Sequence, residues 1–293
     1  MIATNGHTPR NADASAVDPD LFDELKNQLK RVKIDEDDTE YWRVESDYLM
    51  DEDQLFIYSQ QRAAANAQQK ANALAEASPS GNILTPIGDN EQSLVGILQH
   101  GKIIRWNAGT VLTYCVLRRT FPKQAWYDET VATMKQATAD WQATCGISFS
   151  HRADLDSSEG VRPQGVVFPV RFIDAGGQFI AAAFFPHDPP DRRRVLIDPS
   201  YFSTNFDHVG VLRHELGHVL GFRHEHIQSG APPICPDEDK TDTFDLTNYD
   251  PRSVMHYFCG GAGRRELTIS DSDRSGSQSV YGPPLSNFDL MDP

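Results

Sequence analysis

The sequence predicts an α+β fold, in which a mixed β-sheet is crossed by one long helix, a second long helix follows, and a largely helical segment precedes both. Three observations carry that prediction. Short runs rich in Val, Ile and Phe recur between residues 95 and 198 and are separated by turn residues. The run at 111–116 is followed by a long helical pattern and then by runs at 147–150 and 166–172, the order expected of a crossover connection in a mixed sheet. Before residue 93 the pattern is different: Leu21, Leu25, Leu29 and Val32 recur at helical spacing, and residues 62–77 are rich in Ala and Gln.

The elements follow in order. Residues 1–19 are polar, contain Pro9 and Pro19, and predict no packed structure. A short amphipathic helix is predicted from Asp20 to Lys33, an acidic loop over 35–40, and a short strand from Tyr41 to Val44. Asp51 is an N-cap for a helix that passes through Leu55 and Ile57 into the Ala/Gln run, and Ser78-Pro79-Ser80-Gly81-Asn82 ends it. The character then changes, which divides the chain into a segment 1–92 and a domain 93–293. Strands are predicted at 95–98, 103–106 and 111–116, with turns at Gly101 and Gly109. From Lys123 to Ala143 a helix is marked by the stripe Trp126, Thr130, Met134, Ala137 and Trp141. The apolar run 179–185, stopped by Pro186, reads equally as an edge strand and as a core strand, and 195–198 is the next strand. Asn205 or Asp207 can cap the second long helix; Ser270 or Asp271 can cap a final one that runs to Tyr281 and stops at Pro283-Pro284.

Charge and hydropathy exclude some functions. The net charge of −15 argues against a nucleic-acid partner, which needs clustered Lys and Arg. No stretch approaches the roughly 20 apolar residues of a membrane-spanning helix. Residues 1–60 hold 15 Asp and Glu against 6 Lys and Arg, more than half of the net charge, and such a segment either shields a cleft or keeps the chain soluble, the latter being the default.

The second long helix carries the chemistry. Residues 214–225 read H-E-L-G-H-V-L-G-F-R-H-E. His214 and His218, four apart, lie on one helix face and can hold one ion. Gly221 can end the helix in a left-handed conformation and turn the chain so that His224 returns as a third ligand. Three imidazoles with one open position form a catalytic zinc arrangement, since structural zinc sites are closed by four protein ligands. Glu215 stands beside the first ligand, placed to act as general base on water at the metal. An H-E-x-x-H match alone fits ordinary surface or core histidines; the added Gly221 and His224 at fixed spacing give the pattern its weight.

These residues, with Ser253-Val254-Met255-His256-Tyr257 downstream, resemble the metzincin zinc peptidases, and Glu225 after the third histidine with Tyr257 after Met255 resembles their astacin branch. The resemblance implies a zincin catalytic domain with a twisted five-stranded mixed sheet, two long helices that include the zinc-binding helix, and a C-terminal subdomain. It implies one zinc per chain on His214, His218 and His224, a methionine turn at Met255 beneath the metal, Tyr257 as a switchable ligand and oxyanion donor, and Glu225 in a structural ion pair. It further implies a zinc endopeptidase acting on extended protein or peptide substrates docked along the strand at 179–185. A monomer is expected. His226 and His256 are expected at the surface or behind the ligands. The alternative activity is a non-cleaving, zinc-dependent protein-binding module on the same scaffold, which an intact Glu215 argues against.

Two further expectations concern compartment and latency. An even cysteine count in a chain that resembles secreted peptidases favours two disulfides, with Cys115–Cys145 and Cys235–Cys259 the preferred pairing of three; the alternative is four buried free thiols in a cytoplasmic protein. The disulfides imply a secreted or extracytoplasmic protein, although Met1-Ile2-Ala3-Thr4-Asn5-Gly6-His7 has neither a basic nor an apolar region and does not read as a secretory signal. In astacins the segment before the catalytic domain is inhibitory and donates an aspartate from an F-x-G-D motif to the zinc. Here Pro86-Ile87-Gly88-Asp89 keeps the Gly and Asp without the Phe, so Asp89 is the candidate latency switch beside the plainer reading of a Gly-Asp-Asn turn.

Overall fold

The computed structural model describes residues 19–34, 39–76, 94–99, 101–228, 230–232, 238, 240, 243–256, 258–259 and 261–285. The N-terminal part holds helix α1 (Pro19–Gln28), strands β1 (Lys30–Ile34), β2 (Thr39–Arg43) and β3 (Leu49–Met50), and helix α2 (Glu52–Glu76). The strands form an antiparallel sheet in sequence order. The segment is largely helical as expected, but the first helix ends at Gln28 rather than Lys33, and strand β1 takes its last turn. From Lys30 onward, exposed Lys and Arg alternate with buried Val32 and Ile34, a period of two that overrides the helical spacing of Val32. Asp51 caps α2 as expected: its carboxylate accepts from Gln54 N at 2.9 Å, and the Gln54 side chain returns a bond to Asp51 N at 3.1 Å.

The remaining elements are β4 (Val95–Gln99), β5 (Lys102–Ile103), β6 (Val111–Val116), α3 (Gln124–Gln142), β7 (Ser148–His151), β8 (Phe168–Phe172), β9 (Ala181–Ala182), β10 (Val195–Ile197), α4 (His208–Val219), β11 (Phe222–Arg223), β12 (Thr243–Asp245) and α5 (Asp271–Tyr281). The fold is α+β around a mixed five-stranded sheet of order β7-β6-β8-β10-β9. Four strands are parallel, and β9 lies antiparallel at the edge. The alternatives left open for residues 179–185 resolve to an edge position for the short strand they contain. A second sheet, which the sequence did not suggest, pairs β4 with β5, β11 and β12.

Helices α3 and α4 pack together on one face of the five-stranded sheet. Leu112, Tyr114 and Val116 of β6 meet Met134, Ala137 and Trp141 of α3 and Leu212, Leu216 and Val219 of α4 in one buried cluster. Trp141 is fully buried, and its indole N–H donates to the Arg213 carbonyl at 2.8 Å, tying α3 to the helix that carries the histidines. Alternation along β6 turns Cys115 to the opposite face, outside this cluster, whereas Cys145 lies within it. The expected Cys115–Cys145 disulfide is therefore absent, and both residues are buried free thiols that burial pushes up to about 12. Cys259 is disulfide-bonded; Cys235, its expected partner, lies outside the described residues. Among the described residues no helix is long and apolar enough to cross a membrane.

Candidate metal centre and its cover

Helix α4 presents the first two histidines. Asp207 caps it by accepting from Gly210 N at 2.7 Å, so Asp207 rather than Asn205 starts the helix. Gly221 ends it at φ +95°, where an added Cβ would lie 2.8 Å from the Ile104 carbonyl oxygen. The chain then turns through β11 and delivers His224. All three histidines are buried.

The outer nitrogen of each ring fixes which nitrogen faces inward. Nδ1 of His214 donates to the Val254 carbonyl at 2.8 Å, and Nδ1 of His218 donates to the Phe222 carbonyl at 2.7 Å. Nδ1 of His224 meets the Glu238 carboxylate at 2.7 Å. Each inner Nε2 of a neutral ring is then a lone pair, and those of His218 and His224 lie only 3.1 Å apart. Lone pairs converging at that distance repel unless a cation sits among them. The donor set of three imidazole nitrogens fits zinc. The carboxylate behind His224 makes it the most basic of the three, a role that sequence reasoning could not assign to Glu238 because it lies in a loop without regular pattern.

The segment 253–256 supports the helix from below. Asp273 accepts from the Ser253 hydroxyl at 2.5 Å and from Val254 N at 2.7 Å, and it forms a capping box with Ser270 at the start of α5. Ser270, not Asp271, is the cap. Met255 is fully buried, and a Cβ on Gly217 would lie 2.2 Å from its sulfur, so the glycine between the two helical ligands makes room for the methionine. Glu225, whose ion-pair partner in the family is an N-terminus freed by processing, takes another donor in the uncut chain: its Oε1 accepts from Asp250 N at 2.8 Å, and burial raises its carboxyl well above the usual range. His226 and His256 are buried rather than at the surface; His226 stacks on His224 and His256 Nε2 meets the Tyr249 hydroxyl at 2.7 Å. Tyr257 lies outside the described residues.

Glu215 is 3% exposed, and its Oε2 has no hydrogen-bond partner among the described residues. Burial raises its carboxyl well above the usual range, and the charge of Asp47 adds to the effect. An open pocket lies in front of it, lined by Phe206, Val211, Phe258 and Leu267 among others.

The structure places an N-terminal residue on this centre that the sequence did not single out. Asp47 approaches Nε2 of His214 at 3.3 Å, His224 at 3.2 Å and His218 at 3.6 Å, closing a buried four-residue group able to hold a metal ion. Burial alone would raise Asp47, but positive charge at His224 and His218, carried by the rings or by a cation between them, outweighs it and holds the carboxyl well below its usual range. Beside it, Glu45 pairs with Arg223 and lies 3.4 Å from His224 Nδ1. Asp89, the candidate latency switch beside the reading of an ordinary turn, lies outside the described residues. The only signal for Asp47 in the sequence is the acidic excess of residues 1–60, which is the shielding alternative to simple solubility.

The cover extends past Asp47. Tyr48 bridges to Ala183 in parallel at the sheet edge, and Ala183 N donates to the Asp47 carbonyl at 3.3 Å. Val32, Ile34, Tyr41 and Leu49 pack with Ala175, Phe179, Ala182 and Leu196. Arg192 pairs with Asp51, and Arg43 donates to the Gln178 carbonyl.

No family model matches the chain. Among curated proteins, matrix metalloproteinase-16 from Rattus norvegicus, Homo sapiens and Mus musculus is 24% identical over 172 residues, covering 53% of this chain and 24% of each relative. The chain thus spans about a quarter of the length of those relatives. Among solved structures, myroilysin is similar at a TM-score of 0.44 with 18% identity, covering 62% of this chain and 97% of that one. High choriolytic enzyme 1, a hatching enzyme zinc-protease from Oryzias latipes, is similar at a TM-score of 0.40 with 19% identity, covering 59% and 90%.

Proposed function

We propose that this chain is a zinc-dependent endopeptidase of extended protein substrates, held latent by its own N-terminal segment through Asp47. The observation that carries the reading is the convergence of three inward lone pairs beside the buried Glu215, whose Oε2 has no hydrogen-bond partner among the described residues. His214, His218 and His224 would hold a zinc ion, which would supply Lewis acidity towards water and the scissile carbonyl. Glu215 Oε2 takes the proton of the attacking water and returns it to the leaving amine, the usual work of a carboxyl whose acidity burial has weakened. The edge strand β9 offers backbone groups along which an extended peptide pairs. Tyr257, by the family resemblance, donates to the developing oxyanion.

Latency follows from occupancy. Asp47 sits where water and a carbonyl must reach the metal, and the N-terminal strand residues cover the sheet edge that a substrate needs. Residues 1–92 act as a pro-segment, and cutting after it activates the enzyme. A secreted or extracytoplasmic setting suits such a device.

Casein turnover tests the reading. Activity should vanish with a chelator and return with zinc, and Glu215→Gln should retain zinc while losing about 10²–10⁴-fold in rate. Zinc-dependent capture of casein without any cutting by the wild type would favour the binding-module alternative instead.

A further inference from the structure

We infer that the pocket filled by the Tyr48 ring is a substrate side-chain pocket selective for tyrosine, with Asp188 as the residue that reads the phenol. The inference rests on the endopeptidase reading and adds to it a substrate class.

Tyr48 directly follows the residue that faces the three histidines, so its pocket lies one residue from the metal centre. Its ring packs on Phe185 with centroids 4.6 Å apart, and Phe185 in turn meets the His218 ring edge-on at 5.4 Å. Ile97 and Ile104 complete the apolar wall. At the far end is Asp188, 3% exposed, which is unusual for a carboxylate in a wall of this kind. Its Oδ1 accepts from the Tyr48 hydroxyl at 2.9 Å and from Gln54 Nε2 at 2.8 Å, and its Oδ2 accepts from Phe185 N at 2.7 Å.

Only the last of these donors belongs to the body of the protein. When the N-terminal segment leaves, Oδ1 loses both of its partners and remains at the end of a pocket already shaped for an aromatic ring. A buried acceptor left unsatisfied is costly, so a ligand that restores the bond is favoured over one that only fills the space. A lysine or arginine could also donate, but the surroundings are already cationic. Arg193 Nε donates to the Asp188 carbonyl at 2.9 Å, and Arg194 and Arg223 line the adjoining cavities. A neutral donor on a flat ring meets both constraints, and that is the side chain of tyrosine. The segment therefore holds the cleft by presenting there the residue that the pocket selects.

The test uses the full chain, zinc-loaded and carrying Asp47→Ala, Tyr48→Ala and Gln54→Ala, so that the pocket is empty and Asp188 Oδ1 is without either donor while the rest of the protein is kept. It is incubated with an equimolar peptide mixture randomised around a fixed core, and the products are read by mass spectrometry. The expected result is tyrosine enriched at one position relative to the cut, at least about tenfold over phenylalanine, because a site built to bond a hydroxyl rejects the analogue without it. Adding Asp188→Leu should bring that ratio towards one while cutting continues. Should that variant fail to fold, the tyrosine-to-phenylalanine ratio of the parent still decides. Cutting with no preference between the two residues overturns the inference and leaves the peptidase reading intact. Absence of any cutting would sink the peptidase reading, and capture of the same mixture by the chain with Glu215→Gln added then decides the pocket. Captured peptides enriched in tyrosine sustain the inference; captured peptides without that enrichment, or none, overturn it.

Discussion

The two halves of this molecule bury their apolar residues in different ways. From Leu94 onward, one large cluster is built entirely from residues of that half, with Trp141, Leu112 and Leu216 at its centre. Among the described residues, the N-terminal segment has a small cluster of its own around Leu25, Trp42 and Leu55, and it places Val32, Ile34, Tyr41 and Leu49 against the other half. Full burial of an aliphatic or aromatic side chain is worth about 1.5–3 kcal/mol, so those four supply on the order of 6–12 kcal/mol before ordering costs. The difference teaches that the segment is held as a docked accessory whose strength lies in contacts away from the histidines, and on the proposed function Asp47 is the point at which docking becomes inhibition.

The largest effect that could break this contrast is Trp141→Ala. Truncating so large a buried residue costs about 3–5 kcal/mol, and calorimetry should show both halves losing stability together. If only the N-terminal segment loosened, the assignment of the core would be wrong. Next comes Asp47→Ala. A buried charge facing three imidazoles contributes about 3–5 kcal/mol when broken, and each 1.4 kcal/mol is tenfold in the open fraction. Activity of the uncut chain should rise by roughly a hundredfold, while protease protection of residues 30–50 persists because the apolar contacts remain. Unchanged activity would place the inhibition elsewhere, with Asp89 again the candidate.

A smaller effect concerns Asp273, which ties 253–256 to helix α5. Burial raises its carboxyl to about 6 despite the donors that lower it, whereas an unfolded aspartate titrates near about 3.9. Between those values the folded chain holds a proton that the unfolded chain has released. The stability from this group is thus complete below about pH 4 and falls as pH rises through about 6, by at most about 3 kcal/mol. Asp273→Asn should flatten that slope in chemical denaturation of the catalytic half; a slope that persists would assign it to other groups. The smallest change, Ile34→Val, should cost about 0.5–1.5 kcal/mol. It should register only as faster proteolysis of the N-terminal segment, with the melting of the catalytic half unmoved.

What was legible in the sequence was what depends on near neighbours. His214, His218 and His224 are set by a helix and the turn after it, and Asp51, Asp207 and Ser270 cap their own helices, so short patterns sufficed. The α3 stripe gave the core face directly. The cover was not legible, because Asp47 reaches the histidines only after a sheet of three short strands has docked on a distant edge. Strand β1 was hidden for a related reason: Val32 satisfies two periods at once, and the sheet partner that decides between them is outside the window. The pairing of β4 with β11 and β12, and Glu238 behind His224, likewise depend on contacts between remote parts of the chain.

The partners of the outer imidazole nitrogens have an electrical consequence. Two of them are neutral carbonyls and one is the carboxylate of Glu238. With three neutral rings, Asp47 and Glu238 together balance a divalent cation, so the covered centre carries no net charge. Departure of Asp47 removes one negative charge from a buried, poorly screened place, and only ionisation of Glu215, which the Asp47 charge opposes, offsets it. On the proposed function, the uncovered centre should therefore draw small carboxylates, free peptide termini among them, as competitive ligands, and the covered form should ignore them.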